Sequence, residues 1–327
     1  MEYNNEELLK LLTSDTPFRM QEGCHIVLEN QNPNCTHAQI NTMLNKRLLN
    51  PIDMEIMILL STYRFLNSYN ISYFLNELSS LKEYYKKPDY VRNLKKMVKA
   101  GILERYSFIP YPKDANMAIE SMVNAQAAAP LRFYDLTPGS YSYINSIADH
   151  PHHYTAAADD SRRMELLSLN QFLFRFKKHY GKHIISVSYL LSKKIGNTTF
   201  TIDALLKYRV TNKIIKDKGP LFLFVLSVRQ TNGFMKKFIS RLRLTFLYLE
   251  RHNQEFPFFM VLVLIENIKI AIDIYAQIQS IPLLKEQPLY FAPDAPVNVY
   301  PPLDCIYTCS HSETDNRICA NRNRIII

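Results

Sequence analysis

The segment between Asp89 and Ile109 constrains the fold more than any other part of the sequence, because its pattern changes from a helical to an extended period. One apolar stripe has helical spacing and consists of Val91, Leu94 and Val98. The cations recur at i, i+3, i+4 and i+7 on a different face and are Arg92, Lys95, Lys96 and Lys99. Gly101 follows, and a glycine there can end a helix in the left-handed conformation before the strand-like ILERYSFI. The pattern predicts a helix that packs on one side and presents a basic surface on the other.

Two shorter helical patterns precede this segment, and a second strand follows it. The first has an apolar face made of Ile56, Leu59, Leu60 and Tyr63. The pattern of residues 71–78 predicts a second short helix. After a predicted loop over 110–130, a strand is predicted at 131–136, and Thr137 is expected to cap the helix that follows it. Three helices and a β-hairpin are typical of a winged helix-turn-helix, whose third helix enters the major groove. Arg105, on the first strand, completes the predicted DNA-binding set of this domain.

A resemblance to a known class supports this interpretation. The run YVRNLKKMVKAGILERY and the later FYDLTPGSYSYI resemble the recognition helix, wing strand and closing element of many bacterial winged-helix proteins. The resemblance covers about residues 52–147, and it implies binding to double-stranded DNA. The alternative is a helical scaffold whose charged stripe is only a solvated face.

The second half has the pattern of a separate α/β domain. A polar, small-residue stretch near residue 155 predicts a linker. The elements predicted after it are a helix at 165–180, strands at 184–191, 199–208 and 220–228, a helix at 233–251, a strand at 256–265, a helix at 268–280 and a strand at 289–291. This order is that of a restriction-endonuclease-like core. The predicted organisation is α+β: an extension at 1–50, a winged helix at 51–150, the α/β domain at 160–295 and a tail at 296–327.

Together, the two predicted domains resemble the replication-relaxation family, proteins of plasmids and other mobile elements. The resemblance implies a DNA-binding accessory or regulatory protein in replication, conjugative transfer or transcriptional control. Its expected partners are double-stranded DNA and replication or transfer proteins, and a homodimer is left open.

The resemblance to nucleases of this fold also identifies where catalytic residues would stand. Active members place an Asp on one strand and an acid-x-Lys on the next, because a divalent metal needs several oxygen ligands. Here Asp203 stands at the position of the first Asp, but Ser227 and Arg229 occupy the positions of the acid and the lysine, so that one carboxylate remains. Asp203 is therefore expected to pair with a nearby Lys or Arg. We therefore expect no enzyme activity, no catalytic metal and no cofactor. An active metal-dependent endonuclease stays an alternative if Glu250 or Glu266 folds beside Asp203, and a protein-binding adaptor is another.

Charge and cysteine content bear on the binding partner, the cellular compartment and the possibility of a zinc site. The net charge is +9, and residues 171–245 hold 16 Lys or Arg against two acids, Asp203 and Asp217. On the helix predicted at 233–251, Lys236, Lys237 and Arg241 are expected to contact phosphates. Five cysteines, no secretory signal and no apolar stretch longer than PFFMVLVLI favour a cytoplasmic protein without a membrane span. Zinc binding is a weak alternative, since the spacing of its candidate ligands is irregular: Cys305, Cys309, His311 and Cys319.

Overall fold

A computed structural model describes residues 25–30, 34–79, 83, 87–109, 132–147, 159–211, 219–311 and 318–323. The fold is mixed α and β, as expected. The chain divides into two compact units, the first spanning Gln21–Asn170 and the second comprising Gln171–Ile327 with Met1–Met20. The division falls inside the helix Asp160–Tyr180, whereas the sequence places the boundary near residue 155. The predicted hairpin loop and linker lie outside the described residues.

The first unit consists of short helices around a small antiparallel sheet. Its elements are β1 (His25–Leu28), α1 (His37–Asn45), α2 (Pro51–Thr62), β2 (Leu66–Asn67), α3 (Ser68–Tyr73, continued by a π-helical turn at Phe74–Leu78), α4 (Lys87–Lys99), β3 (Leu103–Ile109), β4 (Arg132–Leu136) and α5 (Pro138–Ile147). The strand order is β1-β3-β4-β2. The 1–50 extension therefore supplies a strand and a helix to this unit, where the sequence gives no period to predict them.

The helix ends follow from local sequence. Asn50 caps α2 and accepts a hydrogen bond from the Asp53 backbone N–H, while the Asp53 carboxylate accepts one from the Asn50 backbone N–H, so that each satisfies an N–H group left over at the helix start. Pro51 stands at the first helical position, where its missing N–H is not needed. Gly101 adopts φ 71, which ends α4 and directs the chain into β3, as expected.

A close backbone contact explains the glycine in the TPG sequence. A Cβ atom on Gly139 would lie 2.1 Å from the Cys35 carbonyl oxygen, so α5 can approach this segment only with glycine at that position. Thr137 precedes it and donates its hydroxyl to the Gly101 carbonyl oxygen at 2.9 Å. The start of α5 is thereby attached both to the segment before α1 and to the end of α4.

The helix α6 (Asp160–Tyr180) crosses the division, and the second unit is built on a seven-stranded mixed sheet. Its elements after α6 are β5 (Ile184–Ile195), β6 (Thr198–Tyr208), β7 (Leu221–Ser227), α7 (Phe234–Arg251), β8 (Phe259–Ile265), α8 (Ile268–Ile278), α9 (Pro282–Lys285), β9 (Leu289–Pro293), α10 (Asp294–Val299), β10 (Ile306–His311) and β11 (Ile318–Asn323). The strands follow the order β11-β10-β9-β8-β7-β6-β5. Among the described strands, only the β7–β8 and β8–β9 pairs are parallel.

The core of the second unit forms where α7 and α8 cover this sheet. The central strand β8 is buried from Met260 to Ile265, as its continuous apolar run predicts. Leu242 and Phe246 of α7 join the same buried cluster as Val261 and Ile274. The tail predicted at 296–327 contains β10 and β11, which extend the sheet. Within the described residues, no helix combines the length and apolarity that a membrane span requires.

Candidate nucleic-acid interface

The helix α4 has one buried face and one exposed cationic face. Leu94 and Met97 are 2% and 0% exposed. Arg92, Lys95 and Lys99, which we call the basic face, are exposed. The predicted apolar stripe needs a correction at its first member, because Val91 is 42% exposed and Met97 packs in the core instead. The buried stripe of α4 therefore consists of Leu94, Met97 and Val98.

The basic face lines a shallow concavity, whose volume is about 720 Å³. The residues that line it come from α4 and the start of β3: Arg92, Lys95, Lys96, Val98, Lys99, Ala100 and Arg105. All five charged members are cations, so the concavity has one sign of charge. Such a surface concentrates anions and favours contact with a polyanion.

Lys96 differs from the basic face because it has an internal partner. Its ammonium group forms an ion pair with Asp53, whose side chain is 0% exposed, and donates a hydrogen bond to the Leu48 carbonyl oxygen at 3.1 Å. The same Asp53 oxygen also accepts the Asn50 N–H at 2.9 Å. Lys96 was predicted to bind DNA together with the other cations of α4, and the structure adds an internal role, because this ion pair joins α4 to α2. Asp53 was missed, because helical spacing does not show that a carboxylate of α2 lies beside Lys96.

Arg105 is held by the residues that follow β1. Its backbone N–H donates to Asn30 Oδ1 at 2.7 Å, and its carbonyl oxygen accepts the Glu29 N–H at 2.8 Å. Its Nε lies 2.5 Å from Glu29 Oε2, and Arg132 Nε lies 2.8 Å from Glu29 Oε1. Ser107 also donates its hydroxyl to Glu29. Glu29, Asn30 and Arg132 were missed, because the segment before α1 has no periodicity to place it beside β3.

The ionisation of Glu29 is set by these contacts. Burial raises the pKa of its carboxyl group, but the hydrogen bonds from Ser107 and Arg132 and the charge of Arg105 outweigh burial and lower the pKa below its usual value. Glu29 is therefore a carboxylate at neutral pH, with both oxygens directed at guanidinium groups.

A second charged cluster lies in the second unit, around Asp203. This side chain is 0% exposed and accepts the Ser227 backbone N–H at 2.6 Å. Arg241 Nη1 lies 3.3 Å from Asp203, and Arg241 Nη2 donates to the Ser227 carbonyl oxygen. The expectation that Asp203 pairs with a nearby cation is confirmed. The same contacts correct the prediction for Arg241, which faces inward from α7 rather than toward a phosphate backbone.

The other residues of the predicted nuclease positions are also in internal contacts. Arg229 is 0% exposed and lies 3.0 Å from Asp294. Glu266 accepts the Gln230 backbone N–H at 3.3 Å, and Glu250 is exposed on the far part of α7. Asp203 thus contacts the backbone of the last residue of β7, and Glu266 contacts that of a residue after this strand. A guanidinium group is a direct partner of Asp203.

Lys236 and Lys237 are exposed at the start of α7. This helix begins after Gly233, which has φ 72 and provides no side-chain cap. Since the N-terminal end of a helix carries partial positive charge, two exposed lysines in this turn add to a locally positive surface. Within the described residues, neither lysine forms an internal ion pair, so their role as phosphate contacts stays a prediction.

The cysteine residues near the end of the chain are arranged as a packed hairpin. Ser310 pairs with Cys319 and Cys309 pairs with Ala320, so Cys309 and Cys319 point to opposite faces of the sheet. Burial raises the pKa of the Cys305 and Cys309 thiols to about 12, which disfavours the thiolate that zinc requires. The described residues contain no group of three or more His, Cys, Asp or Glu side chains that could hold a metal ion.

Comparisons with known proteins add no constraint. No protein family model, no curated protein and no solved structure matches this chain.

Proposed function

We propose that the first unit is a winged helix-turn-helix domain that binds duplex DNA through α4. The order of elements supports this: three helices, α2 to α4, then the antiparallel strands β3 and β4, with the short strand β2 paired to β4. In a domain of this type the third helix enters the major groove and the hairpin lies beside it. The loop predicted at 110–130, which would be the wing of such a domain, lies outside the described residues.

The observation that carries the proposal is the two-sided character of α4. Leu94 and Met97 bury one face, while Arg92, Lys95 and Lys99 remain exposed on a concave surface that Arg105 extends. A fixed helix presents these cations in one row, where they can contact the phosphates and base edges of a groove. A protein-binding adaptor would use apolar anchors on such a face, and Val91 of the same helix is 42% exposed, so the binding test below decides between the two.

The second unit is proposed to have a restriction-endonuclease-like fold without nuclease activity, and to add backbone contacts through Lys236 and Lys237. Cleavage needs a metal ion, water and the scissile phosphate held together, whereas the Asp203 carboxylate is occupied by a guanidinium group and a backbone N–H. Binding requires only surface cations. A role in the replication, transfer or transcription of a mobile element follows from the sequence resemblance alone and is part of this proposal.

The test of DNA binding is a salt titration with matched variants. We expect affinity for a short mixed-sequence duplex to fall steeply between about 50 and about 200 mM salt, because each phosphate contact releases counterions. Changing Arg92, Lys95 and Lys99 together to Ala should abolish most of this affinity. The control changes three exposed lysines outside the basic face, Lys46, Lys269 and Lys285, to Ala. Equal losses in the two triple variants would mean that only net charge matters, and affinity that is absent at low salt would end the proposal.

The test of the second unit is incubation with supercoiled plasmid and Mg²⁺ or Mn²⁺. We expect no metal-dependent nicking by the unmodified chain. Nicking that disappears in an Asp203→Ala variant would make the endonuclease the better interpretation, because a contaminating nuclease would not respond to that substitution.

A further inference from the structure

The two residues after β1 contact Arg105 at three points, and this exceeds what strand pairing requires. Glu29 donates its backbone N–H to the Arg105 carbonyl oxygen at 2.8 Å, and Asn30 Oδ1 accepts the Arg105 N–H at 2.7 Å. The third point is the ion pair between Glu29 and Arg105 Nε at 2.5 Å. Asn30 is itself anchored, since its amide donates to the Leu103 carbonyl oxygen at 3.1 Å. The backbone of Arg105 is therefore held by hydrogen bonds, and its guanidinium group is held by the ion pair with Glu29.

The atoms used in these contacts determine which part of each arginine stays available. Arg105 and Arg132 each approach Glu29 through Nε. In the part of the chain that the structure describes, the Nη atoms of Arg105 and Arg132 donate no hydrogen bond, and the two side chains are 27% and 41% exposed. A guanidinium group has five N–H donors in a rigid fork, so a carboxylate on Nε leaves the Nη donors for another acceptor. Arg105 also lines the concavity of the basic face.

We propose that Glu29 is a positioning residue that orients Arg105 and Arg132 as a phosphate-binding pair beside the basic face of α4. The inference rests on the proposed DNA binding and names the ligand of this part of the surface as a backbone phosphate. A carboxylate that improves the binding of an anion acts through geometry, since its own charge repels the ligand. Fixing two arginines removes the ordering cost that each would otherwise incur on binding.

This role has a consequence opposite in sign to simple electrostatics. Glu29→Gln raises the net charge of the chain by one, which alone would strengthen DNA binding. If Glu29 positions the arginines, the same substitution weakens binding, by about three- to tenfold for the impairment of one or two phosphate contacts, and reduces the salt slope by about one. The matched control is Glu104→Gln, which makes the same change of charge in the strand that carries Arg105. Glu104 accepts a hydrogen bond from the Tyr106 hydroxyl at 2.5 Å, and its removal should leave affinity unchanged or slightly higher.

The experiment measures the affinity of the full chain for a short mixed-sequence duplex at several salt concentrations. We expect Glu29→Gln to bind more weakly than Glu104→Gln, and we expect the difference to vanish when Arg105 and Arg132 are also changed to Ala. A second variant, Arg105→Lys with Arg132→Lys, keeps both charges and removes the guanidinium forks. It should lose affinity to a similar extent, which keeps the test decisive if Glu29→Gln does not fold. Glu29→Gln binding as tightly as Glu104→Gln, or the double Lys variant binding like the unmodified chain, would overturn this inference while leaving the proposed function intact. Absence of DNA binding by the unmodified chain would instead end the proposed function.

Discussion

Lys95 and Lys96 are adjacent on α4, yet we expect their removal to have different consequences. Lys95 is exposed on the basic face, whereas Lys96 forms an ion pair with the buried Asp53. Lys95→Ala should weaken DNA binding and leave the free energy of unfolding within about 0.5 kcal/mol of its original value. Lys96→Ala should lower that free energy, because it leaves the carboxylate of Asp53 buried without its cation.

The size of the Lys96 effect follows from burial. Removing one partner of a fully buried ion pair costs about 3–5 kcal/mol. Here Asp53 is 0% exposed, but the Lys96 side chain is 38% exposed, so water reaches one end of the pair and screens it. Asp53 also keeps the N–H of Asn50 as a donor. We therefore expect a loss of about 1–3 kcal/mol, which lowers the midpoint of thermal unfolding by about 3–10 °C for a unit of this size.

The assay is thermal unfolding followed by circular dichroism, with DNA affinity measured below the transition of both variants. A third chain, Lys96→Ala with Asp53→Asn, tests the cause, since removing the stranded charge should restore part of the lost stability. Equal unfolding midpoints for Lys95→Ala and Lys96→Ala would refute the argument. The argument would also be refuted if the double variant, Lys96→Ala with Asp53→Asn, were no more stable than Lys96→Ala alone.

Three further expectations concern stability. Gly139→Ala should cost about 1–3 kcal/mol, because the new Cβ meets a backbone carbonyl, whereas Gly181→Ala, with open space around it, should be near neutral; comparing their denaturant midpoints checks this. Leu94→Ala should cost about 2–5 kcal/mol because this side chain is 2% exposed, and a loss below 1 kcal/mol would place the core elsewhere. The fold lowers the pKa of Glu29, so its contribution to the free energy of unfolding is present above the unfolded pKa of about 4.5 and is lost as pH falls through the lower folded value. Glu29→Gln should therefore reduce the dependence of this free energy on pH in the acid range, which denaturant unfolding at several pH values measures.

The sequence predicted most where hydrophobic patterns are long. The second unit follows the expected order of helices and strands from α6 to β9, because β7 and β8 carry long apolar runs and α7 and α8 each have a clear apolar face. The turn from α4 into β3 was predictable from Gly101, since few residues other than glycine adopt φ 71. What failed were segments whose pairing is decided by distant parts of the chain. β1 pairs with β3, and β11 extends the sheet at its edge, but neither segment has a period of its own that requires it.

Side-chain direction was predictable only on average. Arg241 occurs among exposed lysines and arginines on α7, and its inward direction is set by the distant Asp203. Lys96 is equally close to the basic face in sequence, and its partner Asp53 comes from α2. Helical spacing alone cannot separate a cation that faces solvent from one that faces a buried carboxylate. The missing information in both cases is where an acidic residue of another element lies.

Internal pairing of cations also limits what the net charge says about binding. Arg64, Arg229 and Arg241 are each within 3.3 Å of a buried carboxylate, so they add to the charge count without adding to the surface. Only cations that meet phosphates release counterions, at about 0.9 in the logarithmic salt slope for each contact. The basic face with Arg105 and Arg132 accounts for a slope of about −4 to −5 by this rule, and exposed Lys236 and Lys237 would bring it to about −6. The measured slope therefore reports which surface binds: the lower value indicates the first unit alone, and the higher value requires cations that the net charge of +9 could not have located.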